Sequence, residues 1–448
     1  MAFALRVYDT QGPNKEGSMV KRASTKIALF ILAAAVILSS CAPKITGFDP
    51  ETGGEGMDVT IQGEHFSSNA AENVVRFGGV RTADLLAAQE DRLVVKVPIG
   101  AKMGRISVET KNGKGESEAD FMLLGKGYAL AVGLNAVDPG KYAGWNGSLT
   151  GCEPDAKDME EIAKKQDFET ELLLTAQATR EAVLDSLKKW AEKCRNGDLL
   201  VVSYSGHGGQ VPDQNGDETD DGLDETWCLF DGQLLDDELY EAWTKFREGV
   251  RILAFSDSCH SGTILKMIKG DFLNPSQTRI GALNEKWEMK FMTPLVEESK
   301  VRALGNIKPE LAEKIIIPGS KNFAEDVFSR SVPPDIMSSV YHQNLAFYET
   351  LGARVPKENV LPVLASAILI SGCEDFQTAM DMVFNGLFTV ALKKVWQNGD
   401  FAGNHLDFHK EIKDKVRQVN SQQSPKFFTI GAPYEAFVRQ KPYTVVRS

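Results

Sequence analysis

Two short segments that follow apolar runs constrain the fold of this chain more than any other feature. Leu199–Val202 leads into a segment in which two glycines follow His207, and Ile252–Phe255 leads into Ser-Asp-Ser-Cys-His-Ser-Gly, which contains Cys259. Short apolar runs bounded by Gly and Ser are typical of buried strands. Active sites of open α/β sheets lie at the carboxyl ends of parallel strands. The sequence therefore predicts that His207 and Cys259 meet at one edge of a sheet.

The second half of the chain alternates apolar strands with amphipathic helices. In the segment Thr179–Cys194, for example, one face carries Val183, Leu187, Trp190 and Ala191. Strands that alternate with helices form a largely parallel sheet covered on both sides. We therefore expect an α/β domain over residues 126–445, with a mostly parallel sheet flanked by helices.

The residue types at the two strand ends are those of a thiol hydrolase. A histidine roughly fifty residues upstream of the cysteine is the arrangement of caspase-like peptidases. An imidazole raises the thiolate fraction and later protonates the leaving amine, so Cys259 is the expected nucleophile and His207 the acid/base. The N–H groups of Gly208 and Cys259 are candidate oxyanion-hole donors. The alternative is a buried structural cysteine and an unrelated loop histidine.

Motifs over about 300 residues resemble those of metacaspases, in the order found in that family. They are Tyr128–Asn135, Leu149–Ala156, Gly197–His207, Gly216–Glu218, Asp224–Glu225, Asp236–Leu239, Asp257–Gly262 and Ile370–Ala379. The resemblance implies a caspase-like fold, peptide or protein substrates, and cleavage after Arg or Lys.

The residue two positions before the nucleophile indicates the same specificity. Caspases carry Gln-Ala before the cysteine, whereas this chain carries Asp257 and Ser258. A carboxylate there attracts a basic substrate side chain and repels an acidic one. The metacaspase resemblance places the primary specificity pocket, S1, on Cys152, Asp155, Ser205 and Asp257. A second interpretation is that Asp155 caps a helix that starts at Ala156.

The stretch 213–225 holds seven carboxylates and no basic residue. Such a loop repels itself unless a cation neutralises it, and hard divalent ions prefer oxygen ligands. The resemblance to calcium-activated metacaspases implies calcium ligands at Asp224, Asp236 and Asp237. The ligand that this family carries soon after the nucleophile has no counterpart in Thr263–Ile268. A solvated acidic loop is therefore an open alternative.

The N-terminal 40 residues have the pattern of a bacterial export signal. Three basic residues precede the apolar run Ile27–Leu38, which is too short to span a bilayer. Leu-Ser-Ser-Cys at 38–41 resembles a lipobox, so lipid attachment at Cys41 and anchoring in the outer membrane or at the cell surface are expected. Residues 1–18 fit neither signal nor domain, and initiation at Met19 is expected.

Residues 44–124 are rich in short alternating segments separated by Gly, Asn and Pro. The clearest are Asp58–Gln62, Val74–Phe77, Arg92–Val97 and Arg105–Glu109. This spacing is typical of a β-sandwich, and the segment resembles an IPT/TIG immunoglobulin-like domain. No group of residues in it identifies a ligand or partner.

A net charge of −12 argues against nucleic acid as a partner. Export would permit disulfides, but the spacing of Cys152, Cys194, Cys228 and Cys373 does not pair them.

Roughly a hundred residues, 263–364, separate the cysteine motif from the next strand at Ala365–Ile370, longer than an ordinary connection. The basic residues near its start are candidate self-processing sites: Lys266, Lys269, Arg279, Lys286 and Lys290. A helical insertion that shields the cleft is equally compatible.

Taken together, these patterns predict a membrane-anchored cysteine endopeptidase that cuts after Arg or Lys. Two alternatives remain open. One is a catalytically silent scaffold with a caspase fold, and the other is a basic-specific peptidase of the clostripain/gingipain group. The Asp236-Asp237 pair and the Ser-Gly-Cys-Glu-Asp motif at 371–375 favour the metacaspase hypothesis.

Overall fold

The computed structural model describes residues 42–213, 215, 222–258, 327–354, 361–373, 379–382, 385–431 and 435–446. The signal segment, Cys41, Cys259 and the five candidate processing sites lie outside them. The chain divides into two compact units, one of residues 1–51 with 56–121 and one of 52–55 with 122–448.

The first unit is a β-sandwich. Its two sheets have the strand orders β1-β3-β7-β6 and β2-β9-β8-β4-β5, and the short β2, which lies in the second unit, pairs with the last residues of β9. The strands are β1 (Lys44–Asp49), β2 (Thr52–Gly53), β3 (Asp58–Glu64), β4 (Val74–Phe77), β5 (Val80–Arg81), β6 (Leu85–Ala88), β7 (Arg92–Lys96), β8 (Gly104–Thr110) and β9 (Gly113–Leu123).

Alternation of side chains along these strands builds the core of the sandwich. Val59 and Ile61 of β3 are completely buried, as are Phe77 of β4 and Phe121 of β9, whose rings meet edge to face at 4.9 Å. Successive side chains of a strand point to opposite faces, so every second residue reaches the core. The predicted immunoglobulin-like sandwich is confirmed.

The second unit is built on a six-stranded sheet of order β11-β10-β12-β16-β18-β20. All neighbouring pairs are parallel except β18 with β20. The predicted α/β class is confirmed. Its strands are β10 (Gly127–Gly133), β11 (Glu169–Leu174), β12 (Leu199–Ser205), β16 (Arg251–Asp257), β18 (Ser366–Ser371) and β20 (Lys426–Gly431).

Two smaller antiparallel sheets complete this unit. One has the order β13-β14-β15 and the other pairs β17 with β19. Their strands are β13 (Gly208–Pro212), β14 (Leu223–Leu229), β15 (Gly232–Leu235), β17 (Val327–Ser329) and β19 (Met380–Met382). The helices are α1 (Cys152–Lys164), α2 (Arg180–Lys193), α3 (Asp236–Trp243), α4 (Pro334–Gln343), α5 (Leu345–Arg354), α6 (Leu387–Trp396), α7 (His405–Val419) and α8 (Glu435–Val438).

The predicted amphipathic face of α2 packs on the sheet. Val183, Leu187 and Trp190 are completely buried in a cluster with Leu200 of β12 and Ile252 of β16. These two central strands are buried along their whole length, as expected of a parallel sheet covered on both faces.

Four cysteines of this unit are buried and are not part of a disulfide: Cys152, Cys194, Cys228 and Cys373. Within the described ranges, we find no helix with the length and apolarity needed to cross a membrane.

Candidate active site

The two predicted strand ends lie side by side. β12 and β16 are parallel neighbours, and Ser205, the last residue of β12, pairs with Asp257, the last residue of β16. His207 follows two residues after Ser205, and Cys259 two residues after Asp257. The register of the sheet therefore brings both predicted motifs to one edge.

His207 is held in a defined orientation. It is 4% exposed, and its Nε2 lies 3.0 Å from the carbonyl oxygen of Gly147. Because a carbonyl only accepts, Nε2 carries the hydrogen in this contact and Nδ1 keeps its lone pair. Nδ1 is buried without a hydrogen-bond partner among the described residues. Burial lowers the pKa of His207 to about 4, so the imidazole is neutral at pH 7.

The loop that orients His207 was not predicted from the sequence. Trp145 packs on the imidazole with ring centroids 4.7 Å apart. Gly147 has a φ of +54°, and a Cβ at this position would lie 3.2 Å from His207 Cδ2. In the sequence, the glycines on either side of Trp145 and Asn146 indicate a turn. They do not indicate that this turn contacts His207.

The predicted S1 residues come together beneath this edge. The carboxylate of Asp155 accepts a 2.7 Å hydrogen bond from Ser205 Oγ. Asp257 Oδ2 accepts from Thr389 Oγ1 at 3.0 Å. The thiol of Cys152 lies 3.8 Å from a carboxylate oxygen of Asp381, and burial raises its pKa well above the usual value.

The helix-cap interpretation of Asp155 is wrong. Helix α1 begins at Cys152, so Asp155 lies inside its first turn, and Gly151 occupies the cap position. The carboxylate of Asp155 points into the pocket, where it also accepts from the Gly386 N–H at 3.0 Å. The helix starts earlier than expected because the amide of Asn135 supplies an acceptor to the Cys152 N–H at 3.0 Å.

The pocket contains two residues that sequence analysis missed, Arg330 and Asp381. The Arg330 guanidinium is completely buried and lies against three carboxylates. Its nitrogens are 2.7 Å from Asp155 Oδ2, 2.9 Å from Asp257 Oδ2 and 2.7 Å from Asp381 Oδ1. Nη1 also donates to Ser205 Oγ at 2.9 Å. We call Asp155, Asp257 and Asp381 the acidic pocket.

One guanidinium does not balance three buried carboxylates. Burial raises the pKa of Asp155, and it raises that of Asp257 to about 7 despite the neighbouring guanidinium. Burial by itself would lower the pKa of Arg330, but the acidic groups around it, led by Asp257, hold this pKa well above its usual value. The acidic pocket therefore favours a bound cation.

The pocket also fits a guanidinium tightly. A cavity of about 10 Å³ remains beside Asp155 and Asp257, which is room for about one water molecule. A Cβ at Gly386 would lie 2.4 Å from Asp257 Oδ2 and 2.6 Å from Arg330 Nη2. Because residue 386 is glycine, its backbone can lie directly against Asp257 and the Arg330 guanidinium.

The main chain of Arg330 occupies the predicted oxyanion-hole position. Its carbonyl oxygen accepts a 2.9 Å hydrogen bond from the Gly208 N–H. The Gly208 N–H is therefore directed at a peptide carbonyl, and its role as an oxyanion-hole donor stays a prediction. The second predicted donor, the Cys259 N–H, lies outside the described residues.

The three predicted calcium ligands are buried. Asp224, Asp236 and Asp237 are at most 3% exposed, and Asn215 Nδ2 donates to Asp237 Oδ2 at 2.9 Å. In the part of the chain that the structure describes, no three His, Cys, Asp or Glu side chains converge on one point. Residues 214 and 216–221 of the acidic loop lie outside it. We derive no step through calcium, whose role stays a prediction.

Comparisons with known proteins agree with this architecture. Residues 128–268 match the metacaspase, peptidase C14 domain, and residues 43–122 match the IPT/TIG domain. Metacaspase-1 of Schizosaccharomyces pombe is 27% identical over 319 residues, which cover 67% of this chain and 65% of that protein. Metacaspase-1 of Coccidioides immitis is 37% identical over 325 residues, covering 67% of this chain and 60% of that protein.

A solved structure is similar over a larger share of its length. Protein GSU0716 from Geobacter sulfurreducens is 41% identical with a TM-score of 0.54, covering 72% of this chain and all of that one. This chain spans 65% and 60% of the two fungal relatives.

The fold and the strand-end site define a caspase-like α/β domain preceded by an immunoglobulin-like sandwich. Residues 128–268 match the metacaspase, peptidase C14 domain, and the sandwich matches an IPT/TIG domain. The predicted resemblance to metacaspases is thus confirmed for the peptidase domain.

Proposed function

We propose that this protein is a cysteine endopeptidase that cleaves peptide bonds after Arg or Lys with Cys259 and His207. One observation carries the proposal. The Arg330 guanidinium fills the acidic pocket while the carbonyl of the same residue accepts from the Gly208 N–H. The side chain of an arginine residue thus binds the carboxylates while its carbonyl accepts from Gly208. A peptidase specific for basic residues needs both contacts with its substrate.

The mechanism assigns one task to each group. The neutral imidazole of His207, oriented by the Gly147 carbonyl, takes the thiol proton of Cys259 through Nδ1. The thiolate attacks the carbonyl carbon of the substrate residue. The Gly208 N–H then stabilises the oxyanion. His207 returns the proton to the leaving amine, and water hydrolyses the thioester.

The acidic pocket accounts for the specificity. Hydrogen bonds to a charged partner contribute about 1.5–3 kcal/mol each, and a guanidinium makes several of them with the three carboxylates. An aspartate substrate would meet like charges in a buried site. Burial of Asp155 and Asp381, at 1% and 0% exposure, keeps water from screening either effect.

The direct test is hydrolysis of a fluorogenic peptide that ends in Arg. The full chain should hydrolyse it and the Cys259→Ala variant should not. Absence of hydrolysis by the full chain would eliminate the enzyme hypothesis and leave the scaffold alternative, whereas equal release by both proteins would remove Cys259 as the nucleophile.

We expect the KM for Arg peptides to fall as the pH rises. Asp257 carries its negative charge only above its pKa, which burial places at about 7 beside the guanidinium. Deprotonation therefore strengthens the attraction for a substrate cation, and KM should drop several-fold between about pH 6 and about pH 8. Steady-state kinetics of the parent and of Asp257→Asn provide the test. A pH dependence of KM that is the same in both proteins would remove Asp257 from the pocket.

We further propose that the protein is an exported lipoprotein anchored through Cys41. The support is the basic flank, the apolar run and the lipobox-like segment at 38–41. A Cys41→Ser chain expressed in bacteria should incorporate no labelled fatty acid and should accumulate unprocessed, because the sulfur that carries the lipid is missing. Radiolabelled palmitate followed by gel fluorography measures this. Equal labelling of parent and variant would contradict the anchor.

A further inference from the structure

Two helices begin at the acidic pocket, and both begin with a glycine. Gly151 is the N-cap of α1 and Gly386 is the N-cap of α6, and neither cap makes a side-chain hydrogen bond. The N–H groups at the start of a helix have no partner within the helix, so they need acceptors from other parts of the chain. Carboxylates of the acidic pocket supply acceptors to both helices.

The start of α6 holds two of these carboxylates. The Gly386 N–H donates to both oxygens of Asp155, at 3.0 and 3.1 Å. The N–H and the hydroxyl of the buried Thr389 both donate to Asp257 Oδ2, at 3.3 and 3.0 Å. Asn385, directly before the cap, donates from Nδ2 to Asp155 Oδ1 at 2.9 Å. Main-chain and side-chain donors of one short stretch thus meet both acids.

The start of α1 holds the third carboxylate in the same way. The Thr150 N–H donates to Asp381 Oδ2 at 2.9 Å, and the Gly151 N–H donates to Asp381 Oδ1 at 3.2 Å. The N-terminal end of a helix carries a partial positive charge. Both helix starts therefore favour the ionised form of the acids that they contact.

These donors oppose the effect of burial on the acids. Burial is the largest influence on the pKa of Asp257 and raises it, whereas Arg330 and the hydrogen bond from Thr389 lower it. For Asp155, burial again raises the pKa, and donors that include Asn385 lower it. A hydrogen bond donated to a carboxylate stabilises its charged form. Thr389 and Asn385 are part of the pocket wall, so their bonds do not require a guanidinium in the pocket.

We propose that Thr389 and Asn385 are positioning residues for the substrate cation, which hold the carboxylates of Asp257 and Asp155 ionised and oriented toward it. This inference rests on the proposed function. It adds to the acidic pocket two uncharged residues that determine how strongly the pocket attracts Arg or Lys.

A role in capping α6 alone explains less of the geometry. Capping requires acceptors for the N–H groups of the helix. It does not require the Thr389 hydroxyl and the Asn385 amide, which are side-chain groups, to donate to the same two carboxylates. With Asn385 on Oδ1, Asp155 directs Oδ2 at the guanidinium nitrogen of Arg330, 2.7 Å away.

The pH dependence of the pocket gives the readout. The charged groups that face the Asp257 carboxyl come from α1, β19 and the chain after β17: Asp155, Asp381 and Arg330. His207 has a pKa of about 4, so it does not change charge near the pKa of Asp257, which is about 7. A change in the Asp257 pKa should therefore appear in the KM for a basic substrate.

The test follows the KM for an Arg-ending peptide against pH in Thr389→Val and Thr389→Ser. Valine keeps the shape of the side chain but lacks the hydroxyl, and serine keeps the hydroxyl. In Thr389→Val, the fall in KM should move to higher pH by about one unit. KM at about pH 7 should rise several-fold and kcat should stay within about threefold. Thr389→Ser should follow the parent.

Two further variants identify the partner of each positioning residue. When Asp257→Asn has removed the titrating carboxyl, adding Thr389→Val should cause no further change in the pH dependence of KM. Asn385→Leu should raise KM at about pH 7 by at least about threefold, because Asp155 loses its amide donor.

Thermal unfolding provides a readout that needs no catalysis. At about pH 5 the folded protein holds Asp257 uncharged, since its pKa is about 7, so the Thr389 hydroxyl has no charge to stabilise there. The Tm difference between Thr389→Ser and Thr389→Val should be small at about pH 5 and larger by about 2 °C or more at about pH 8.

The outcomes separate this inference from the proposed function. Superimposable KM curves of the parent and Thr389→Val, or equal shifts in Thr389→Val and Thr389→Ser, overturn the positioning role and leave the peptidase. A Tm difference that is the same at both pH values shows that Thr389 only caps α6, and it also overturns the role. Absence of Arg-peptide hydrolysis by every protein, the parent included, overturns the proposed function and this inference with it.

Discussion

Cys259→Ala is expected to abolish peptide hydrolysis, and His207→Gln to lower kcat by about 10³-fold or more. Loss of a covalent nucleophile or of its base removes most of the rate enhancement of such a pair. Glutamine is chosen at 207 because its amide can still donate to the Gly147 carbonyl, which now lies 3.0 Å from Nε2. It cannot act as a base at neutral pH.

Stability measurements make this result interpretable. His207 is buried and packs on Trp145, so thermal unfolding must be followed in each variant. We expect Cys259→Ala to unfold within a few degrees of the parent. Activity within about a hundredfold of the parent in a folded Cys259→Ala protein would remove this residue as the nucleophile.

Asp257→Asn is expected to lower kcat/KM on Arg substrates by at least about tenfold, which corresponds to roughly 1.4 kcal/mol. The change removes one charge that faces a bound guanidinium and keeps the shape of the side chain. It should create no activity on Asp substrates, because Asp155 and Asp381 still repel them. Asp381→Asn should have a similar effect, since its carboxylate is as close to the guanidinium as that of Asp155.

The exposed Asp185 of helix α2 provides the matched control. Asp185→Asn changes the net charge by the same amount and should leave kcat/KM unchanged. Equal losses in Asp185→Asn and Asp257→Asn would show a general charge effect and contradict the pocket.

Much of the site was predictable because the spacing of apolar residues identifies strands, and the pairing of neighbouring strands fixes which residues lie side by side. Apolar runs located β12 and β16, and parallel pairing then required His207 to lie near the end of β16. Ser205 and Asp257 come together because they are paired at the ends of β12 and β16. Cys152 and Asp155 lie on helix α1, and only the resemblance to metacaspases connected them with this pair.

The missed residues depend on tertiary contacts. Asp381 lies on the short strand β19, whose partner is β17, more than fifty residues earlier in the chain. Arg330 stands in a stretch with no strong periodicity, so its sequence context does not distinguish it from other basic residues of the insertion. Gly147 acts through its backbone carbonyl, which any residue type possesses. The start of α1 at Cys152 depends on the Asn135 side chain, which reaches the helix from another segment.

The most direct test of the central claim is a panel of peptides that differ only in the residue before the cut. Arg, Lys, Gln and Asp peptides are compared on the full chain and on Arg330→Gln, with calcium and with a chelator. Cleavage after Arg and Lys at least about a hundredfold faster than after Gln or Asp is the predicted result, since two or more charged contacts are lost with the uncharged side chain. Preferred cleavage after Asp would contradict the acidic pocket and the basic specificity proposed for this protein.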